Sequence, residues 1–436
     1  MRLYYLEMKR LIRTKSVWIL MIAMVVLAAV MAYVPVTFIR AYKTDAGNVQ
    51  AVTGVQAVKI SKETRKDMEG EVTEEKIRQA IRVLNEMYQE YGSSFMEEVP
   101  ADVYAEKIYP IMPVLNIIEQ VLAPDGKNLY NMEAFDVKEE DAATIYEKYR
   151  EEIQELSQNP ELVKEMQKIS GSVKTPFTYE SGMTLETVDY YTIYLFLVMF
   201  AFIVIASPVY AAEYQTGADD VIRCTKNGRV RIAVTKILVT FTLAVATFVA
   251  SSLTFVAVLY ILYGGSGFGT SIQMGYVFYL PALTIGSMLK LQIAGGVLFT
   301  LATVSFVLFL SSKCKNVQTA LISAFEIAIL PMILNMAGNN NVLNIMRCIL
   351  PTGGFGLING LQSELMARNF ALVAGHYIWL PYILLSHPFG NSVTDFFRFV
   401  YSLNEILQKF KVPFCVLSAL PVMRDFSTCN IKKIWL

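Results

Sequence analysis

The sequence predicts an all-α polytopic membrane protein with about six transmembrane helices and a mostly helical extracytoplasmic domain between spans one and two. Residues 17–34 form an uninterrupted apolar run, long enough to cross the hydrocarbon core as a helix. Polar sequence follows over 35–189, and apolar runs return over 190–385. The whole chain is 54% hydrophobic with a mean hydropathy of +0.41. That content exceeds the roughly 45–50% of soluble domains.

Charge divides the chain into two environments. Residues 35–188 hold 17 basic and 28 acidic residues, a net charge of −11, and the remainder carries +11. An acidic domain binds phosphate backbones poorly, so we expect no nucleic-acid partner. All the cysteines lie outside residues 35–189, so disulfides cannot staple this domain. No Cys/His spacing indicates a metal site, and we expect no cofactor.

The N-terminal region, residues 1–34, predicts an amphipathic helix followed by the first span. Apolar residues of the first 16 positions can share one face, with basic residues beside it, as in helices that lie in the membrane interface and meet anionic headgroups. The alternative is an ordinary basic flank that only sets topology. The apolar run is longer than the roughly 7–15 residues of a signal-peptide core, so we expect a retained span.

The acidic domain, residues 35–189, shows helical periodicity. Apolar residues recur at helical spacing in 73–91, with Thr73 as a candidate N-cap, and again in 141–157. Asn159 followed by Pro160 predicts the start of another helix. The apolar stretch 111–123 is too short to span a bilayer, so it is either core of this domain or a face resting on the membrane.

The transmembrane block, residues 190–385, holds five further apolar runs, at 191–212, 237–263, 291–312, 317–337 and 370–385. The uncharged stretch 264–289 is interpreted as re-entrant or interfacial. The last run is short for a span and contains His376 and Pro381. The tail, residues 386–436, is atypical for a multi-pass membrane protein. Two explanations stay open, an altered reading frame late in the gene and a genuine interfacial segment.

Basic residues in short loops predict the orientation. They concentrate in the N-terminal flank, in the loop 211–236, after the fourth run and in the tail. The positive-inside rule therefore predicts a multi-pass protein of the cell membrane with both termini cytoplasmic and the acidic domain outside.

The chain alone carries no recognisable catalytic machinery. The Gly-rich stretch 264–270 lacks the lysine of a P-loop, and the chain has only two histidines for a nucleophile–His–acid set. We therefore expect no enzymatic activity from this chain by itself.

The loop after the second run has an ordered pattern. Glu213, Thr216 and Gly217 follow the run, and a short helix is expected at about 217–224. A polar turn with Arg comes next, and a lysine stands in the following span. In this order the sequence resembles the membrane subunits of type-2 ABC exporters. The residues that match the family pattern are Glu213, Thr216, Gly217, Thr225, Asn227, Gly228, Arg229 and Lys236.

This resemblance implies the permease subunit of an ATP-driven exporter, and it makes the amphipathic start similar to the family's elbow helix. Such a subunit pairs with a second permease copy or a paralogue and with two cytoplasmic ABC ATPase subunits. Glu213 and Arg229 are then the candidates for transmitting the push of the ATPases. The substrate class stays open among peptides, lipids, drugs and ions.

Two other readings stay open. Residues 211–236 could be a plain basic loop that obeys the positive-inside rule. The protein could also be a non-transporting receptor or cell-wall contact protein that acts through its large outer domain.

Glu326 is the one carboxylate well inside an apolar run. Charges inside membranes are costly and usually face a bundle interior or water. Glu326 is therefore either a group on the pathway of a substrate or ion, or a neutral hydrogen-bonded glutamic acid at a subunit interface.

Overall fold

The computed structural model describes residues 2–45, 48–94, 98–123, 137–225, 230–358, 360–373 and 375–390. Its first two helices are α1 (Arg2–Arg13) and α2 (Lys15–Phe38). They are separated at Thr14, whose backbone is extended. The predicted amphipathic helix and first span are therefore confirmed as separate helices.

The polar segment that follows forms a mostly helical domain, as predicted, with short antiparallel strand pairs β1–β2 and β3–β4. We call it the outer domain after the side of the membrane that the charge pattern predicts for it. Its elements are β1 (Arg40–Asp45), β2 (Asn48–Thr53), α3 (Val55–Thr64), β3 (Gly70–Glu71), α4 (Glu74–Tyr91), α5 (Ala101–Val103), α6 (Tyr109–Leu122), α7 (Ile145–Glu155), α8 (Pro160–Ser170) and β4 (Thr178–Tyr179). The Asn159 side chain caps α8 by accepting from the backbone N–H of Glu161 at 3.0 Å. Thr73 stands at the N-cap of α4, but its side chain makes no capping hydrogen bond.

The apolar faces of α4, α6 and α7 form the core of this domain. Ile81 of α4, Ile117 of α6 and Ile145 of α7 are fully buried in it. The stretch 111–123 is therefore part of the core of the domain. Burial in this core accounts for its apolar residues, so contact with the membrane is not required to explain them. Burial raises the pKa of the Tyr149 hydroxyl to about 12, so this core tyrosine is neutral.

The transmembrane block begins with α9 (Glu186–Ala206), which α10 (Pro208–Thr216) continues. The further elements are α11 (Ala218–Arg223), α12 (Val230–Tyr263), α13 (Ile285–Lys313) and α14 (Val317–Ala337). Counting α9 and α10 as one, five helices of the described chain are long and apolar enough to cross a membrane. Helix α2 packs on α9 and α12, and α13 packs on the same two helices. The protein is thus a multi-pass helical bundle.

Residues 264–284 pack between the outer domain and the end of the bundle, where Ile272 joins the core of the bundle. Met274, Val277 and Leu280 are buried in the core of that domain, and Asn116 Nδ2 donates to the carbonyl of Met274 at 2.7 Å. The re-entrant alternative for 264–289 is therefore not borne out over 264–284, whereas the interfacial alternative stays a prediction; residues 285–289 are the start of α13. Met274, Val277 and Leu280 are buried by the domain above the bundle, which a hydropathy pattern cannot distinguish from burial in lipid.

The Gly-rich stretch in this loop binds the side-chain carboxylate of Glu180 through backbone N–H groups. The backbone N–H groups of Gly267 and Gly269 donate to Glu180 Oε2 at 3.1 and 2.9 Å. Gly267 has a positive φ of 92°, and a Cβ at Gly269 would collide with the Glu180 carboxylate. Glycine is therefore required at this turn for close approach.

The elements after α14 are α15 (Asn341–Ile349), α16 (Leu361–Met366), β5 (Phe370–Val373), β6 (His376–Trp379) and α17 (Leu380–Gly390). The prediction that residues 370–385 form a sixth membrane-spanning helix is wrong, because these residues do not form one continuous helix. Strands β5 and β6 pair in an antiparallel hairpin, and the helix begins only at Leu380. The Tyr377 hydroxyl accepts from Asn159 Nδ2 at 2.8 Å, which fixes the hairpin to the outer domain. The tail from residue 391 lies outside the described residues.

Residues 341–366, the re-entrant segment, fold back into the bundle from the side of the outer domain. Thr303 Oγ1 on α13 donates to the carbonyl of Pro351 at 3.2 Å. Thr352 Oγ1 donates to the carbonyl of Ala328, halfway along α14, at 3.1 Å. Gly354 packs directly on the Phe299 ring and leaves no space for a Cβ. The tip of the segment therefore lies at half the length of α13 and α14.

Candidate functional site

Three helices bring charged side chains together at the end of the bundle opposite the outer domain. Helix α10 carries Glu213, α1 carries Arg10 and α12 carries Lys236. The opposite end of α12 meets the outer domain, where Lys62 Nζ donates to the carbonyl of Tyr263 at 3.1 Å. At about 1.5 Å per residue, the 34 residues of α12 separate these two ends by a full membrane thickness.

The carboxylate of Glu213 bridges the other two helices. Its Oε1 accepts from Arg10 Nη1 at 3.0 Å, and its Oε2 forms an ion pair with Lys236 Nζ. Arg10 also pairs with Glu7 of its own helix at 2.9 Å. We call Glu7, Arg10, Glu213 and Lys236 the Glu213 cluster.

Lys236 is the most buried member of the cluster, with only 2% of its side chain exposed. Its ammonium donates to the carbonyl of Val209 at 3.3 Å and lies 5.1 Å from the centroid of the Tyr210 ring. The Tyr210 hydroxyl in turn donates to the carbonyl of Ala233 at 2.8 Å. A buried ammonium requires a counter-charge and hydrogen-bond acceptors, and the cluster supplies both.

The other predicted residues shape the connection that follows Glu213. Thr216 Oγ1 donates to the carbonyl of Ala212 at 2.9 Å at the end of α10. Gly217 has a positive φ of 71°, which ends α10 and lets α11 start in a new direction. Thr225 Oγ1 donates to the carbonyl of Ile222 at 2.8 Å where α11 ends. The short helix predicted at about 217–224 is therefore confirmed.

The predictions for Asn227, Gly228 and Arg229 lie outside the described residues. Among those described, sequence reasoning singled out Glu213 and Lys236 but assigned no role to Arg10 or Tyr210. Arg10 is one of the basic residues of the first 16 positions, for which the sequence predicts contact with lipid headgroups. The signal available was Glu7 placed three residues before Arg10, a helical spacing that favours an ion pair.

Glu326 lies apart from the Glu213 cluster, on α14. Its side chain is partly buried, and its Oε2 atom is buried without a hydrogen-bond partner among the described residues. The neighbouring Phe325 stacks on Phe200 of α9, with ring centroids 5.2 Å apart.

Within the described part of the chain, no group of three or more His, Cys, Asp or Glu side chains could hold a metal ion. Comparisons with family models, with curated proteins and with solved structures find no match to this chain. The fold and its five membrane-length helices define the class, a multi-pass helical membrane protein.

Proposed function

We propose that this chain is the permease subunit of an ATP-driven ABC exporter. The observation that supports the proposal most is the position of Glu213. One carboxylate ties the interfacial helix α1 and the start of α12 to α10, immediately before the short helix α11. A force applied to α11 therefore reaches three helices of the bundle through one ionic cluster.

The cluster is suited to transmit a displacement of α11 to the bundle because breaking its ion pairs has a large free-energy cost. Removing one partner of a buried ion pair costs about 3–5 kcal/mol. Helices α1, α10 and α12 then move as a unit when the ATPases close, and nucleotide binding shifts the population between inward-facing and outward-facing states. Helix α11 offers the ATPase an apolar contact, since the Val221 side chain is 71% exposed.

The proposed assembly contains two cytoplasmic ATPase subunits and a second permease, either another copy or a paralogue. The proposal includes a cell-membrane location with both termini cytoplasmic. The basic loop 211–236 predicts the cytoplasmic side for the end of the bundle that holds the Glu213 cluster and α1, and the basic residues of the tail predict the same side for the C-terminus.

We expect the isolated chain to turn over no ATP and to co-purify with its ATPase when the two are co-expressed. Val221→Asp should weaken co-purification and lower transport-linked ATP turnover, because it places a charge on the exposed apolar side chain of α11. The matched control is Val55→Asp, at a partly exposed valine of the outer domain. Equal retention of the ATPase by both variants would remove α11 from the interface, and ATP turnover by the isolated chain would refute the proposal.

The orientation is tested with one new cysteine and one native cysteine. Ser172→Cys, at an exposed position after α8, should react with a membrane-impermeant thiol reagent in intact cells. The native Cys224 is free and exposed after α11, and it should react only after the cells are permeabilised. Labelling of Cys224 in sealed cells would reverse the assignment of sides.

The alternative is a non-transporting receptor or cell-wall contact protein. One observation favours it, an open surface cleft of about 550 Å³ on the outer domain. Its lining includes Tyr146, Arg150 and Thr175. An ATPase gene beside the gene for this chain would favour the transporter. Binding of a cell-wall polymer to this chain in cells that lack an ATPase partner would favour the alternative.

A further inference from the structure

The membrane-spanning surface of the bundle carries an exposed apolar ridge along α14. Ile322, Ile329 and Ile333 are exposed, and their spacing of seven and four residues places them on one face of the helix. The opposite face of α14, which includes Ala324 and Ala328, is buried in the bundle. We call Ile322, Ile329 and Ile333 the α14 ridge.

Glu326 lies on the face of the α14 ridge, close to mid-membrane. It follows Ile322 by four residues and precedes Ile329 by three, so helical spacing puts the three side chains together. Glu326 is the tenth residue of the 21-residue α14, and its Oε2 atom has no hydrogen-bond partner in the described part of the chain. A carboxyl group at this depth usually pairs with other polar groups inside a protein assembly, because lipid tails offer it no partner. Lipid alone therefore covers this face poorly.

An apolar groove borders the α14 ridge. It lies between α2 and α9 and has a volume of about 350 Å³. Its lining includes Leu20, Met24 and Leu27 of α2 and Leu197, Phe200 and Val204 of α9. The Phe200 ring stacks on Phe325 of α14, with centroids 5.2 Å apart. Because Phe325 directly precedes Glu326, the groove and the ridge lie side by side at the same depth.

A surface that contains both a ridge and a groove is suited to bind a second copy of itself. In a two-fold symmetric dimer the same patch is used on both subunits, and packed helices commonly place ridges into grooves. A two-fold axis along the membrane normal keeps every residue at its own depth. The α14 ridge of one copy then meets the groove of the other at the level of Phe200, and protein covers Glu326 on the side that the single chain leaves open.

We propose that the α14 ridge and the groove between α2 and α9 form the surface on which a second copy of this chain docks within the membrane, with Glu326 enclosed at the interface. The inference rests on the proposed function in that it identifies the second permease as another copy of this chain. Its test needs no ATPase. Self-association without ATPase binding would refute the exporter alone, and ATPase binding by a chain that does not self-associate would refute this interface alone.

The interface is tested by energy transfer between donor-labelled and acceptor-labelled copies of the full chain, reconstituted together in phosphatidylcholine liposomes at increasing lipid dilution. Ile322→Ala combined with Ile329→Ala lowers the ridge, and each single chain should fold as the parent does, because both side chains are exposed. The matched control is Leu238→Ala combined with Leu253→Ala, at two exposed leucines of α12. Ala201→Trp, at a residue that lines the groove, fills it from the other side.

We expect the parent and the α12 control to associate equally. The ridge variant and Ala201→Trp should each raise the dissociation constant by about tenfold, which is equivalent to about 1.4 kcal/mol. Glu326→Gln should associate as the parent does, because an amide also donates and accepts hydrogen bonds between helices, whereas Glu326→Leu should raise the dissociation constant by about threefold to tenfold.

Three results would overturn the proposal. The first is a parent chain that stays monomeric, which would leave the surface to lipid or to a paralogue. The second is a ridge variant or an Ala201→Trp chain that folds as the parent does and associates as tightly as the α12 control. The third is a Glu326→Leu chain that associates as tightly as Glu326→Gln.

Discussion

Replacing Glu213 with Ala is expected to lower the free energy of unfolding by about 3–5 kcal/mol, the usual cost of removing one partner from a buried ion pair. The substitution leaves the Lys236 ammonium, which is 2% exposed, with the carbonyl of Val209 and the face of Tyr210 but without a counter-charge. It also separates α1 from α10, since Arg10 loses its contact with Glu213. Denaturant titration of the purified chain in detergent measures the loss.

A paired variant separates the structural role of the cluster from a coupling role. Glu213→Gln combined with Lys236→Met removes both charges and should recover most of the stability. If the cluster transmits force, this stable variant should still bind its ATPase but lose the stimulation of ATP turnover by substrate. Arg10→Ala should cost at most about 1 kcal/mol, because Arg10 is 45% exposed and water screens its pairs. A single Glu213→Ala chain as stable as the parent would contradict this account.

The parts of the fold that the sequence predicts are those in which neighbouring residues decide the outcome. Length and hydropathy locate the helices that contain residues 17–34 and 317–337, since each is long and apolar enough to cross a bilayer by itself. Helical spacing predicts α4 and α8 for the same reason. Glu213 and Lys236 are identified from their order in the chain, although 23 positions separate them. The contact with Arg10 joins residues 203 positions apart, so no local pattern indicates it.

The features that the sequence does not predict depend on long-range burial. Residues 264–284 and 341–366 are both apolar and rich in glycine, yet the first packs on the outer domain and the second enters the bundle. The difference comes from partners far along the chain, Asn116 for the first and Thr303 for the second. The short run 370–385 forms a hairpin and a helix start because β5 finds a strand partner in β6.

The buried pair of Arg347 and Glu364 gives the second large expected effect. Their side chains are 3% and 1% exposed, their charged atoms lie 2.8 Å apart, and Asn369 Nδ2 donates to Glu364 Oε2 at 3.2 Å. Glu364→Ala leaves the guanidinium unpaired beside the bundle and should lower the free energy of unfolding by about 3–5 kcal/mol.

Arg347→Met together with Glu364→Leu should restore most of the stability lost in Glu364→Ala, because buried ion pairs are often replaceable by apolar groups of similar volume. The control is Glu75→Ala, which removes an exposed partner of Arg78 and should change stability by no more than about 1 kcal/mol. Denaturant titration compares all three variants with the parent. A double variant as unstable as Glu364→Ala would show that the charges themselves hold the re-entrant segment, whereas recovery assigns the loss to the guanidinium left without its carboxylate. If Glu364→Ala were as stable as Glu75→Ala, water would already be reaching Arg347 and screening its charge.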